Sequence, residues 1–243
     1  MRDLANFYDE RYKNDYMREL IRGNYEFRRY ERIKYLLSKV PLSQNIKVLD
    51  YGCGQGRYTG VLERVFPDAE IDGCDISKIA VEKARNRFPK HQFLQFGEIT
   101  PYGDNTFDFI LSIEVFEHVE DIYKTIKDIS RILKIGGYLL FSTPCGNPFS
   151  FEYLKSVFKK DGIRSSEDGF RSFYFEDVGH LRRLKSGEIS AILKNDGMEE
   201  VYIFFDCPFL PIVYIIDILS WLEWVLFKKL PNGSGMFGVF EKT

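Results

Sequence analysis

Three stretches of this 243-residue chain combine residue types that carry chemistry. The first, Val48-Leu49-Asp50-Tyr51-Gly52-Cys53-Gly54-Gln55-Gly56, is an apolar strand running into a turn of alternating glycines at a helix start. Glycines there let the backbone take positive φ and approach a ligand closely. The N–H groups opening the next helix favour a negative ligand group. The second stretch, Ile71-Asp72-Gly73-Cys74-Asp75-Ile76-Ser77, ends a strand on an acid. A carboxylate at that place, about 20 residues past the glycines, accepts both ribose hydroxyl protons; Asp75 equally suits the cap region of the next helix. The third is Glu114-Val115-Phe116-Glu117-His118. On a helical turn Glu114, Glu117 and His118 share one face. Two carboxylates and an imidazole converging there could hold a divalent cation that lowers the pKa of a coordinated hydroxyl. The same turn could simply pack beneath a cofactor. His118, and His180 in Gly179-His180-Leu181-Arg182-Arg183, are also the candidate general bases. A helix-capping loop is the alternative for that later run.

The elements that would position these residues alternate. Helical spacing covers Leu4 to Leu20, and again Tyr25 to Val40, before Pro41. Strands are expected at Ile46 to Tyr51, Ala69 to Cys74, His91 to Phe96, Phe107 to Ile113 and Tyr138 to Ser142. Helices fall between them at Arg57 to Phe66, from a Ser77 cap to about Phe88, and at Asp121 to Lys134, with Gly136-Gly137 as the stop. Such alternation builds right-handed βαβ units, hence an α/β, Rossmann-like doubly wound sheet. Residues 144–185 break the rhythm and read as an inserted lid of short helices and loops. A helix at Ser186 to Asn195, a strand at Met198 to Phe205, an apolar helix at Phe209 to Phe227 and a last strand at Met236 to Glu241 complete the chain. The organisation is one domain: N-terminal helices over 1–40, a cofactor core over 46–143, the lid, and 186–243 finishing the sheet.

Thirty-four Lys plus Arg against 36 Asp plus Glu leave a net charge of −2, which argues against a nucleic-acid partner bound through bulk positive charge. The 22 Phe and 15 Tyr are an excess that either fills a core or faces an apolar substrate. Cys53, Cys74, Cys145 and Cys207 form no C-x-x-C pair, so neither a disulfide framework nor a zinc site is expected. Met1 to Arg22 lacks the apolar core of a signal peptide, and the expected compartment is the cytoplasm. The Phe209–Phe227 run approaches membrane-spanning length, yet Asp217 and Glu223 would be costly at a bilayer centre. It reads as a core helix, as an interfacial helix giving peripheral membrane contact, or as a homodimer face. The scatter of Lys155, Lys159, Lys160, Arg164, Arg182, Arg183 and Lys185 would suit an anionic or lipid-linked substrate, or is a solvated face.

The glycine spacing excludes the usual dinucleotide turn, because Arg57 follows Gly56 and the third glycine comes one residue early. That argues against an NAD or nucleotide-sugar enzyme, a rival reading beside a non-catalytic binding protein on the same fold. The runs VLDYGCGQG, IDGCDIS, PYGDNTFDFILSIEVFEHVED and LKIGGYLLFSTP resemble, in order, the class I S-adenosylmethionine-dependent methyltransferases, and within them the small-molecule branch with the ubiquinone-biosynthesis O-methyltransferases. The resemblance implies a seven-stranded sheet whose last strand is antiparallel and inserted beside the fifth. It implies S-adenosyl-L-methionine as cofactor and O-methylation of a small or lipid-linked acceptor. Gly52, Gly54 and Gly56 would face the methionine part of the cofactor, with Asp50 steadying the turn. Asp75 would take the ribose hydroxyls and Ile76 the adenine. Glu98 and Ile99 stand where the family usually carries an acid for the adenine amino group, and Ser112 and Ile113 would close the sulfonium side. An arginine before the first strand, Arg28, Arg29 or Arg32, would meet the cofactor carboxylate; Arg29 is the working choice. Some relatives use the Glu-x-x-Glu-His face, with a later histidine such as His180, for magnesium. Here a divalent metal is allowed but not expected.

Overall fold

The computed structural model describes residues 3–13, 24–43, 45–148, 163–165, 171–173, 180–206, 225–226, 228, 233 and 235–243. Two helices come first, α1 (Leu4–Lys13) and α2 (Asn24–Leu37). Then follow β1 (Lys47–Tyr51), α3 (Thr59–Val65), β2 (Glu70–Asp75), α4 (Lys78–Arg87), β3 (Gln92–Gln95) and β4 (Phe107–Ile113). Helix α5 (Ile122–Ile132) leads into β5 (Leu133–Pro144), and β6 (Ile163–Ser165) pairs antiparallel with β7 (Arg171–Phe173). Helix α6 (Ser186–Asn195), β8 (Met198–Asp206) and β9 (Gly235–Lys242) finish the chain.

The main sheet has seven strands in the order β3-β2-β1-β4-β5-β9-β8. Strand β1 pairs parallel with β2 and β4, and β2 with β3, so the carboxyl ends of β1, β2 and β4 lie side by side. Ligands of open α/β sheets bind along that edge. Strand β9 lies between β5 and β8 and runs antiparallel to β8, as the resemblance implies.

The chain packs as two compact units, Met1–Ser112 with Asp128–Leu139, and Ile113–Lys127 with Leu140–Thr243. In the first, Val48, Leu49, Leu62, Phe93, Phe107, Phe109 and Ile110 are buried. In the second, Phe116 packs on Phe141 at 5.2 Å, Phe141 on Phe240 at 5.9 Å, and Phe204 stacks on Phe237 at 5.0 Å. These phenylalanines thus supply core, each large ring removing apolar surface from water, while Tyr35, Tyr123 and Tyr202 are exposed.

Several expectations need correction. Gly136-Gly137 do not end a helix: α5 stops at Ile132 and the chain passes directly into β5, which contains both glycines. A Cβ on Gly137 would come within 2.8 Å of the Lys134 carbonyl and 3.0 Å of the Asp108 carbonyl, so glycine is needed there for close backbone approach. Within 144–185 the described residues include a two-stranded ribbon, β6–β7, where short helices and loops were expected. The side chains of Lys155, Lys159, Lys160 and Arg164, the residues 14–23, and all but Val225 and Leu226 of the Phe209–Phe227 helix lie outside the described residues. Among the described residues no helix is long and apolar enough to cross a membrane.

Candidate active site

In the first unit the site begins where β1 ends. Gly52, Gly54 and Gly56 all take positive φ, at 75°, 52° and 76°, as a turn closing back on itself demands. The Gly52 and Cys53 N–H groups donate to the Cys74 carbonyl, tying the turn to the end of β2. Asp50 is buried, and its Oδ2 accepts the Thr59 hydroxyl at 2.6 Å. Burial pushes its carboxyl up to about 7, with the Thr59 bond opposing and the Asp75 charge adding to the rise.

Asp75 closes β2. Its Oδ2 accepts the Gly54 N–H at 2.8 Å and its Oδ1 the Ser77 N–H at 2.9 Å. Burial raises this carboxyl to about 6, the Ser77, Gly54 and Ile76 N–H groups oppose that rise, and the Asp9 charge adds to it. Ser77 caps α4 as its side chain accepts the Ala80 N–H at 3.1 Å, so the two readings of this segment hold together: Ser77 is the cap, and Asp75 is fixed beside it. Each carboxylate oxygen accepts one backbone N–H and retains acceptor capacity for a hydroxyl. Ser112, at the end of β4, is buried with no hydrogen-bond partner for its hydroxyl among the described residues. A carboxylate with acceptor capacity, a positive-φ turn and an orphaned hydroxyl fit a nucleoside bearing a small polar tail.

Glu98 and Ile99 lie exposed on the loop after β3. That loop is anchored from α5, where Asp128 accepts the Thr100 N–H at 2.9 Å and its hydroxyl at 2.8 Å. Arg131 donates to the Tyr102 carbonyl at 2.7 Å and to Asp104 at 3.0 Å. Ile76 is half-buried after β2, and its carbonyl accepts from Gln95. Arg29 is half-buried on α2 and Arg32 is buried there; the Arg28 side chain lies outside the described residues. His91 pairs with Glu63 at 2.8 Å, a part-buried contact away from this turn.

The second unit holds the acid–histidine cluster, differently arranged from the expected helical face. Residues 114–118 form a turn, and Glu114 takes φ +56°, a left-handed conformation costly for a side chain with a Cβ. That conformation turns Glu114 onto Ser142, whose hydroxyl donates to its Oε1 at 2.8 Å. Glu117 is fully buried; its Oε2 accepts the Thr143 hydroxyl at 3.0 Å, and its Oε1 has no hydrogen-bond partner among the described residues. His118 Nε2 stands 3.8 Å from that Oε1, and the His118 and His180 rings lie 4.8 Å apart. Glu117, His118 and His180 offer donor atoms all within 4.8 Å of one another. Glu114 is outside the set, and His180 is inside it. Burial, reinforced by the Glu114 charge, raises the Glu117 carboxyl to about 8.

Arg182 corrects the picture of a solvated basic face. It is buried, and its guanidinium donates to the Phe116 carbonyl at 3.1 Å, the Glu120 carbonyl at 2.7 Å and the Val119 carbonyl. The Leu181 N–H adds a bond to the Glu117 carbonyl at 2.7 Å. The run at 180–182 is therefore stitched along the turn at 116–120, and this brings His180 to His118. Asp9, Tyr12, Thr59 and Thr143 had no signal in the sequence, because each meets its partner only through the fold.

Residues 20–201 match the family described as a methyltransferase domain. The chain is 33% identical over 138 residues to a malonyl-[acyl-carrier protein] O-methyltransferase of Priestia megaterium, covering 54% of this chain and 50% of that protein. It is 32% identical over 122 residues to a trans-aconitate 2-methyltransferase of Variovorax paradoxus, covering 49% and 47%. It is 33% identical over 117 residues to a ubiquinone biosynthesis O-methyltransferase of Coxiella burnetii, covering 46% and 49%. The chain thus spans about half the length of the curated relatives it matches. In fold it is similar to an S-adenosylmethionine-dependent methyltransferase from Mesorhizobium loti, with a TM-score of 0.61 at 17% identity over 86% of this chain and 96% of that one.

Proposed function

The chain belongs to the methyltransferase domain family, whose cofactor is S-adenosylmethionine, and from that premise we propose that it methylates an oxygen of a small or lipid-linked acceptor. What carries the reading is the Asp75 carboxylate, held by the Gly54 and Ser77 N–H groups beside a turn of three positive-φ glycines. When bound, the cofactor supplies a methyl group already activated on a sulfonium, so little chemistry is left to the protein beyond alignment and proton removal. Asp75 accepts the ribose hydroxyls. Gly52, Gly54 and Gly56 let the main chain close on the methionine portion, and Asp50 holds that turn through Thr59. The Ser112 hydroxyl offers a bond at the end of β4.

An oxygen acceptor of high pKa must lose its proton as it attacks. His118 is the base in this reading. Its Nε2 stands beside a Glu117 carboxyl that burial keeps neutral below about pH 8, with the His180 ring at its side. The oxygen preference is supported by relatives named as O-methyltransferases. The test is production of S-adenosylhomocysteine when the protein and S-adenosylmethionine meet a panel of carboxylate, phenol and amine acceptors. Turnover on an oxygen acceptor, lost in His118→Ala, is the expected result; turnover confined to amines would overturn the oxygen assignment.

A further inference from the structure

We propose that α1 aims the ribose-binding acid, with Asp9 and Tyr12 as positioning residues that act through Ser77 and Gly54. The proposal rests on the reading that Asp75 grips the cofactor's ribose. The Gly54 and Ser77 N–H groups each donate to one oxygen of the Asp75 carboxylate and so hold its direction. Both of these residues are touched by α1. Asp9 Oδ1 accepts the Ser77 hydroxyl at 2.5 Å and the Ile79 N–H at 3.2 Å, across 68 residues of sequence in the first case. The Tyr12 hydroxyl lies against Gly54, where a Cβ would come within 2.6 Å of its oxygen. One helix therefore bears on both arms that hold one carboxylate.

The contacts are chemically matched. Asp9 brings a negative charge to the N-terminus of α4, where unpaired N–H groups favour it. Ser77 donates to Asp9 while accepting from Ala80, so its single hydroxyl serves both. Lys83, further along α4, donates to the Tyr12 carbonyl at 2.5 Å and fixes the far end of α1. Burial, with the Asp75 charge next, raises the Tyr12 hydroxyl well above its ordinary value, so it stays protonated.

Helix α1 itself is weakly founded. It has ten residues and none of its side chains is fully buried. Isolated helices shorter than about 12–15 residues are marginal in water, so its order depends on docking. Undocking would release the Ser77 hydroxyl and uncover Gly54, leaving both donors less constrained and the carboxylate less well aimed. Ordering of α1 and cofactor binding are then coupled, and each favours the other.

The experiment is titration calorimetry with S-adenosylhomocysteine on wild type, Asp9→Ala, Asp9→Glu and Asp75→Ala, and on Asp9→Ala combined with Asp75→Ala, with the melting temperature of each unliganded protein. Asp9→Ala is expected to weaken binding about five- to twentyfold, with Asp9→Glu recovering much of the loss. The melting temperature should hardly move, since opening is local. The Asp9 effect should vanish in the Asp75→Ala background, because the two act on one contact. In wild type, amide exchange over residues 4–13 should slow on adding the ligand. Wild-type affinity in Asp9→Ala, an undiminished Asp9 effect without Asp75, or α1 exchange indifferent to the ligand would each overturn the proposal. Failure of wild type to bind S-adenosylhomocysteine would instead remove the cofactor reading beneath it, a result distinct from tight binding that ignores Asp9.

Discussion

Replacing Asp50 with Asn should change how stability depends on pH, in a direction the structure fixes. The Asp50 carboxyl is buried beside Asp75 and carries one hydroxyl donor, Thr59. Burial displaces it from an ordinary value of 3.8 to about 7 in the folded protein. The folded state therefore holds this proton over a range in which the unfolded chain has released it. Stability from that difference is fully present below about pH 4 and is lost as pH rises through about 7. At roughly 1.4 kcal/mol per tenfold change in proton affinity, the full loss is on the order of 4 kcal/mol, of which about 2–3 kcal/mol falls between pH 5 and pH 8. An Asn at position 50 has no proton to lose, whatever constant cost its amide imposes on Thr59. Urea denaturation of wild type and Asp50→Asn at unit steps from pH 5 to pH 8, without cofactor, isolates the effect. Relative to wild type, the variant should gain about 2–3 kcal/mol across that range. Parallel curves, with a difference constant to about 0.5 kcal/mol, would show that Asp50 is not the buried, proton-holding acid described here.

Asp75→Ala should weaken S-adenosylhomocysteine binding by about 1.5–3 kcal/mol, or roughly 10- to 150-fold, and unchanged affinity would reduce the acid to a helix cap. In wild type the same affinity should rise with pH through about 6, as the Asp75 carboxyl gives up its proton and becomes the better acceptor; a flat profile by calorimetry would contradict that. Arg182→Met removes a guanidinium bonded to three carbonyls and should cost about 3 kcal/mol or more in chemical denaturation, whereas a loss under about 1 kcal/mol would deny the clamp. Turnover is expected to persist in EDTA, since Glu114 is turned onto Ser142 and the cluster keeps a single carboxylate; abolition by EDTA and rescue by magnesium would assign a metal to Glu117, His118 and His180.

The parts of the site that follow from local chain chemistry were legible. A glycine turn after a buried strand, an acid ending the next strand and a serine cap two residues beyond it are written in short runs of sequence, and turn, acid and cap stand where read, although the helix between them opens at Thr59 rather than Arg57. Strand β4 and helix α6 begin and end where expected, because their apolar patterns have clear periods and clear stops. The acid–histidine run was only half legible. Its spacing fits a helix, but the chain leaving β4 bends through a left-handed Glu114 and sends that side chain to Ser142. His180 enters the cluster because Arg182, which composition alone presents as a surface charge, is buried on three carbonyls. The role of α1 is not legible at all. An aspartate and a tyrosine on a charged ten-residue helix announce nothing until the fold lays them on Ser77 and Gly54.

The central claim is tested most directly by binding to the unmodified protein. A titration of the whole chain with S-adenosylmethionine, S-adenosylhomocysteine, NAD and a UDP-sugar, read by calorimetry and by the shift in melting temperature, separates the ligands that a glycine turn beside a strand-end acid could hold. Saturable one-site binding and a raised melting temperature with the two S-adenosyl compounds alone is the predicted result. Stabilisation by NAD or the UDP-sugar, with none from S-adenosylhomocysteine, would contradict the account.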